Sequence, residues 1–289
     1  MKPSAAAQPP SLPAGVEECW TEIEGARVRY LKAGSGPAVV LVHGLLGYSF
    51  SWRFNMGALA ERHTVYALDL PGVGFSERRP QMDCSMTAAA ARLLQFLDLT
   101  GISKTHLVGS SQGGAICVYA AAAEPQRFSK LVLVAPANPW SSQGRVLIDI
   151  FSSAAGAEAF RRGHHLLRPV HGVLLARMYG DRHRIRPGTI EGYAAPMGIP
   201  GTADYLLSVV ACWNADLGRL ETALRKIKDI PTLLLWGSRD GAVYPESAAE
   251  VARRLPAAEL VFIKGAGHLP YEEFPERFNR VVGEFLSCA

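Results

Sequence analysis

Six apolar runs of strand length punctuate the chain: "PAVVLVHG" (37–44), "HTVYALDLPG" (63–72), "KTHLVGS" (104–110), "KLVLVAPA" (130–137), "PTLLLWGS" (231–238) and "ELVFIKGAG" (259–267). They are nearly continuous in Val, Leu and Ile rather than alternating, the pattern of strands buried on both faces. Between them, "MTAAAARLLQFLDLTG" (86–101) and "GGAICVYAAAAEPQRF" (113–128) repeat apolar positions at helical spacing and are rich in Ala and Leu. Strand–helix–strand alternation predicts right-handed crossovers and a mostly parallel central sheet with helices on both faces. Upstream, "CWTEIEG" and "ARVRYLKAG" alternate better and predict an antiparallel hairpin at the sheet edge.

The alternation breaks once. Residues 139–217 carry no sheet strand but several helical stretches, among them "GRVLIDIFSSAAGAEAFRRG", "HGVLLARMYG" and "GTADYLLSVVACWNADL". Such a length is too great for a loop in a compact domain. It predicts an inserted helical cap over 139–217, on a core formed by 19–138 and 218–289. The first 18 residues, Pro-rich and without a continuous apolar stretch, predict a flexible arm and not a signal peptide.

Composition narrows the class. The chain has 289 residues, 48% of them hydrophobic and 19% charged, enough apolar content for a large core. A net charge of +4 gives no argument for nucleic acid. No stretch approaches the roughly 18–20 apolar residues of a membrane span, so no membrane partner is expected. Cys19, Cys84, Cys117, Cys212 and Cys288 are odd in number, widely spaced and without a C-x-x-C pair. That predicts free thiols and a cytoplasmic location, and no zinc site.

In parallel sheets, ligands bind beyond the carboxyl ends of the strands, and the unusual residues stand there. Gly109-Ser110-Ser111-Gln112-Gly113 lies between a strand and a helix and fits G-x-S-x-G. The glycines let the backbone turn sharply, lifting the central Ser111 clear; Ser110 occupies the position that points away. A serine hydroxyl needs a base. His268 follows the last strand, in "KGAGHLPYEEFPERF". Asp240, just past "LLLWGS", supplies an acid to orient it, although Asp-Gly is also an ordinary turn dipeptide. The order Ser111, Asp240, His268 is that of serine hydrolases built on this sheet. "HGLLG" (43–47) supplies a glycine turn, and the N–H groups of Leu45 and Gln112 are the candidate oxyanion donors. His43 reads as a brace for that turn.

Taken together, "VHGLLG", "DLPGVGFS", "GSSQGG", "GSRD" and "GAGHLPYEEFPE" resemble the α/β-hydrolase superfamily, in particular its capped esterase, epoxide-hydrolase-like and C–C hydrolase branches. The resemblance covers about Trp20 to Leu286. It implies an α/β-hydrolase fold with an inserted helical cap, a serine hydrolase without a cofactor, and a structural role for Asp69 in "DLPGVGFS". Dehalogenases and epoxide hydrolases of this fold use an aspartate nucleophile, whereas position 111 is Ser. C–C hydrolases tend to carry Gly-Pro after the oxyanion His-Gly, which "HGLLGYS" lacks. Prolyl aminopeptidase relatives usually show Trp after the nucleophile, where this chain has Gln112. By elimination, a small carboxylic ester or lactone leads as the substrate class. C–C cleavage, hydroxynitrile lyase or perhydrolase chemistry, or a non-turnover ligand receptor, are the alternatives.

The remaining features have plainer readings. Arg161, Arg162, Arg168, Arg177, Arg182, Arg184 and Arg186 face a single acid, Asp181, in the same span. They could attract an anionic substrate, but a solvated helical face explains them as well. His164, His165 and His171 have no Cys or carboxylate partner at ligand spacing, so no metal is expected. Trp140 and Trp213, near the two cap junctions, are the candidate substrate contacts.

Overall fold

A computed structural model of the chain describes residues 8–142, 145–163 and 168–288. Eight strands form one sheet: β1 (Val16–Ile23), β2 (Ala26–Ala33), β3 (Ala38–Val42), β4 (Thr64–Leu68), β5 (Thr105–Ser110), β6 (Phe128–Val134), β7 (Thr232–Gly237) and β8 (Glu259–Ile263). Their spatial order is β1-β2-β4-β3-β5-β6-β7-β8. The pairs β1–β2 and β2–β4 are antiparallel, and every later pair is parallel. The edge hairpin and parallel interior are those the apolar runs predict.

Helices α1 (Met56–Ala60), α2 (Met86–Leu99) and α3 (Gln112–Ala123) serve as crossovers in the first half. Between β6 and β7 come five more: α4 (Arg145–Ser152), α5 (Ala154–Gly163), α6 (Arg168–Ala176), α7 (Thr189–Ala194) and α8 (Thr202–Lys226). Then follow α9 (Ser247–Arg254), α10 (Pro270–Glu273) and α11 (Pro275–Ser287). Among the described residues, no helix is long and apolar enough to cross a membrane.

The core has two parts, one on each side of the sheet. On one side Phe96 of α2, Ile116 of α3, Leu220 of α8 and Val251 of α9 pack on the strands. On the other, Met56 of α1 and Phe278 of α11 surround Trp52. Burial of several dozen such side chains, each contributing about 1.5–3 kcal/mol, is the main favourable term.

Two boundaries differ from the sequence reading. An arm ending at residue 18 overlaps β1, whose pairing starts at Val16↔Ala33. A cap ending at 217 cuts α8, a single helix of 25 residues. Its first half packs on α4 and α5, its second on α2, α3 and α9. Leu206, Leu207 and Val209 are buried in the first half, and Leu217, Leu220 and Leu224 in the second. The apolar period continues unbroken from one packing environment into the other, so nothing in it marks a domain edge.

His106 of β5 sets a pH limit on this core. Burial, then the neighbouring His63, Lys130 and Lys104, lower its pKa from the ordinary 6.5 to about 4, and its buried Nδ1 has no partner among the described residues. The unfolded chain therefore takes up this proton first as pH falls. The stability from a neutral His106 is complete above about 6.5 and is lost between there and about 4. Thermal unfolding of wild type and His106→Gln over pH 4–8 should show the wild type losing Tm more steeply across that window.

Candidate active site

A single residue separates β5 from α3. Ser111, the residue between them, has φ 53° and ψ −121°, a conformation costing about 1–3 kcal/mol for a residue with a side chain. Its backbone is held by β6 and the segment just after it: Ser111 N–H donates to Val134 O (2.9 Å), and Ser111 O accepts from Ala137 N–H (2.9 Å). The flanking glycines are required by contact. A Cβ at Gly113 would run into the carbonyl oxygens of Val42 and His43, and one at Gly109 into Gly113 O. The result separates the two serines: Ser110 is 1% exposed, whereas Ser111 is only partly buried.

The turn after β3 lies directly against this elbow. A Cβ at Gly44 would stand 3.1 Å from Ser111 Cβ. Among the described residues, neither Leu45 N–H nor Gln112 N–H has an acceptor, so both donors remain available beside the serine. His43 braces the turn from behind. Its Nε2 accepts from Leu70 N–H (3.2 Å) and its Nδ1 lies 2.9 Å from Gly44 O. Burial lowers its pKa, so the ring stays neutral. Asp69, fully buried, accepts from Ser49 N–H (2.8 Å), Phe75 N–H (2.9 Å) and the Arg29 guanidinium (3.3 Å). It ties the post-β4 loop to Ser49 and Arg29.

The structure brings Asp240 and His268 together from separate strand ends. Asp240 Oδ1 accepts from Ala242 N–H (2.8 Å) and Val243 N–H (2.9 Å). Its Oδ2 is 2.8 Å from His268 Nδ1. With both oxygens accepting, the proton resides on Nδ1, and Nε2 is the basic nitrogen. Among the described residues, no hydrogen bond joins His268 Nε2 to Ser111 Oγ.

Trp140 follows β6, and Trp213 lies within α8. Both are half-buried against the cluster formed by α2, α3 and α8, and the Arg254 guanidinium covers the Trp140 ring at 3.9 Å. The arginine-rich span is largely engaged locally. Arg161 pairs with Glu158 and Asp204, Arg162 with Glu158, Arg186 with Glu276, and Arg184 lies over Phe274 at 4.0 Å. His164 and His165 lie outside the described residues, as do the side chains of Arg168 and His171. All five cysteines are free.

Sequence reasoning missed two residues behind the histidine. Glu272 and Glu273 are 1% and 3% exposed. Glu272 takes a bidentate pair from Arg53 (2.8 and 2.9 Å) and hydrogen bonds from the hydroxyls of Tyr179 (2.5 Å) and Tyr193. The only signal available was their spacing from His268, inside "GHLPYEEFPE".

A family model for the alpha/beta hydrolase fold matches residues 37–275. The chain belongs to the α/β-hydrolase family. Among the family's curated members, the dihydrolipoyllysine-residue acetyltransferase component of the acetoin cleaving system of Pseudomonas putida is 32% identical over 268 residues, which is 92% of this chain and 68% of that one. The 2-hydroxymuconate semialdehyde hydrolase of a Pseudomonas species is 28% identical over 285 residues, 92% of each chain. Among solved α/β-hydrolases, the 2-hydroxy-6-oxo-6-phenylhexa-2,4-dienoate hydrolase of a Rhodococcus species superposes with a TM-score of 0.81 at 22% identity, covering 94% of this chain and 99% of that one.

The strain at Ser111 has a measurable consequence. Ser111→Gly should be more stable than Ser111→Ala by about 1 kcal/mol, because glycine adopts φ near 53° without a Cβ penalty. Denaturant unfolding of the two variants makes the comparison; equal stabilities would mean the turn carries no strain.

Proposed function

We propose that this α/β-hydrolase cleaves a small carboxylic ester or lactone through an acyl-enzyme on Ser111. The observation that carries the reading is the strained elbow: it presents a partly exposed hydroxyl beside two N–H groups without acceptors. Ser111 Oγ attacks the carbonyl carbon as His268 Nε2 takes its proton. Leu45 N–H and Gln112 N–H hold the oxyanion. Asp240 keeps the imidazole in the required tautomer and stabilises the imidazolium. His268 then passes its proton to the departing alkoxide. Water, deprotonated by the same nitrogen, attacks the acyl-enzyme and releases the acid, restoring Ser111. No metal or cofactor enters any of these steps, the partner is a small molecule, and the free cysteines accord with a cytoplasmic setting.

A fluorophosphonate probe should label wild type and leave Ser111→Ala unlabelled, with kcat for a nitrophenyl ester falling on the order of 10⁴–10⁶. Loss of activity in Ser110→Ala instead, with Ser111→Ala active, would move the nucleophile. C–C bond hydrolysis on the same triad is the second reading. It is favoured by the match to the 2-hydroxymuconate semialdehyde hydrolase along 92% of both chains. A panel of activated esters, lactones and dienolic diketones separates the two.

The insertion that begins after β6, up to the first half of α8, would act as a cap: it leaves the sheet at the end of β6, the edge where Ser111 stands at the end of the parallel strand β5. Its apolar faces would roof the site and favour short or medium acyl groups. Trp140→Ala and Trp213→Ala are expected to shift kcat/KM preferences across nitrophenyl esters from acetate to palmitate. Unchanged relative preferences would remove both tryptophans from the pocket.

A further inference from the structure

Glu273 is a buried carboxylate that the chemistry above leaves unused, and every one of its recorded contacts joins two particular segments. Its Oε2 accepts from Gly267 N–H (2.7 Å) and Gly180 N–H (3.1 Å), and its Oε1 from Asp181 N–H (2.8 Å). From the other side, His268 N–H donates to Met178 O (2.6 Å). The histidine loop is thereby lashed to residues 178–181, the strap that follows α6 in the helical insertion. The approach is close enough to exclude side chains: a Cβ at Gly180 would collide with Gly265 O and lie 2.8 Å from Gly267 N. Glu272 holds the same strap through Tyr179 and ties it to the core through Arg53.

Charge-assisted bonds to three N–H groups, away from water, make a stiff link. Asp240 fixes the rotation of the His268 ring, but the strap fixes where its backbone stands. That placement sets where the ring stands relative to Ser111. We propose that Glu273 is a positioning residue that couples the helical insertion to the triad, so that the strap sets the distance between His268 and Ser111. This rests on the assignment of Ser111, His268 and Asp240 as the triad. No step of the reaction changes; only the placement of the base does.

Glu273→Gln replaces one acceptor oxygen with an amide that faces an N–H. Gly180→Ala pushes the strap off the loop without touching either acid. Each is compared with wild type in ester kcat and KM, in the rate at which a small fluorophosphonate labels Ser111, and in thermal unfolding. Both variants should fold, should lose kcat and labelling rate by the same factor, on the order of 10², and should keep KM. Labelling at the wild-type rate with only KM raised would overturn the inference, because the strap would then merely wall the pocket. So would a loss that vanishes once rates are corrected for the folded fraction. A wild type that never labels at Ser111 would instead overturn the triad itself and this inference with it. The unmodified protein therefore tells the two failures apart.

Discussion

The backbone of Ser111 is the constraint around which the site is arranged. A non-glycine residue stays at φ 53° only when its surroundings over-determine it. Here the end of β6 and the residues just after it supply hydrogen bonds to its N–H and C=O, and α3 begins so close to the end of β3 that only glycine fits at position 113. The same compression brings the turn after β3 against the serine, and among the described residues the Leu45 and Gln112 N–H groups have no acceptor. The proposed nucleophile and oxyanion donors would then follow from one local geometry.

Around this point the interior is unusually polar, and it is kept so by multiplicity of contact. An isolated buried carboxylate would cost several kcal/mol. Asp69, Asp240, Glu272 and Glu273 avoid that cost because each accepts three or more hydrogen bonds or ion-pair contacts. Removing a partner would strand a charge, so these groups fix loops that would otherwise be free to shift. The loops after β4, β7 and β8 owe their shapes to carboxylates more than to apolar packing.

What could be read from the sequence follows from how local each signal is. The strands were legible because burial on both faces demands unbroken Val and Leu. The choice of Ser111 over Ser110 came from glycine spacing alone, and the exposures of the two residues follow it. Glu272 and Glu273 were illegible because their partners Arg53, Tyr179, Tyr193 and Gly180 lie 79 or more positions away in the chain, and a Glu-Glu pair reads by default as solvated. The far end of the insertion was misplaced for the opposite reason: α8 keeps one period while changing what it packs on.

That helix has a consequence for chimeras. As a continuous rod about 37 Å long, α8 packs both on α4 and α5 and on the layer of α2, α3 and α9. Grafting another insertion onto this scaffold at residue 217 would splice two half-helices of unrelated phase and rotate Leu220 and Leu224 off the sheet. A workable graft keeps Thr202–Lys226 whole and exchanges what lies before it. The exchangeable module is then shorter than the span between the strands, and its return seam falls at Gly201, where the backbone is already left-handed.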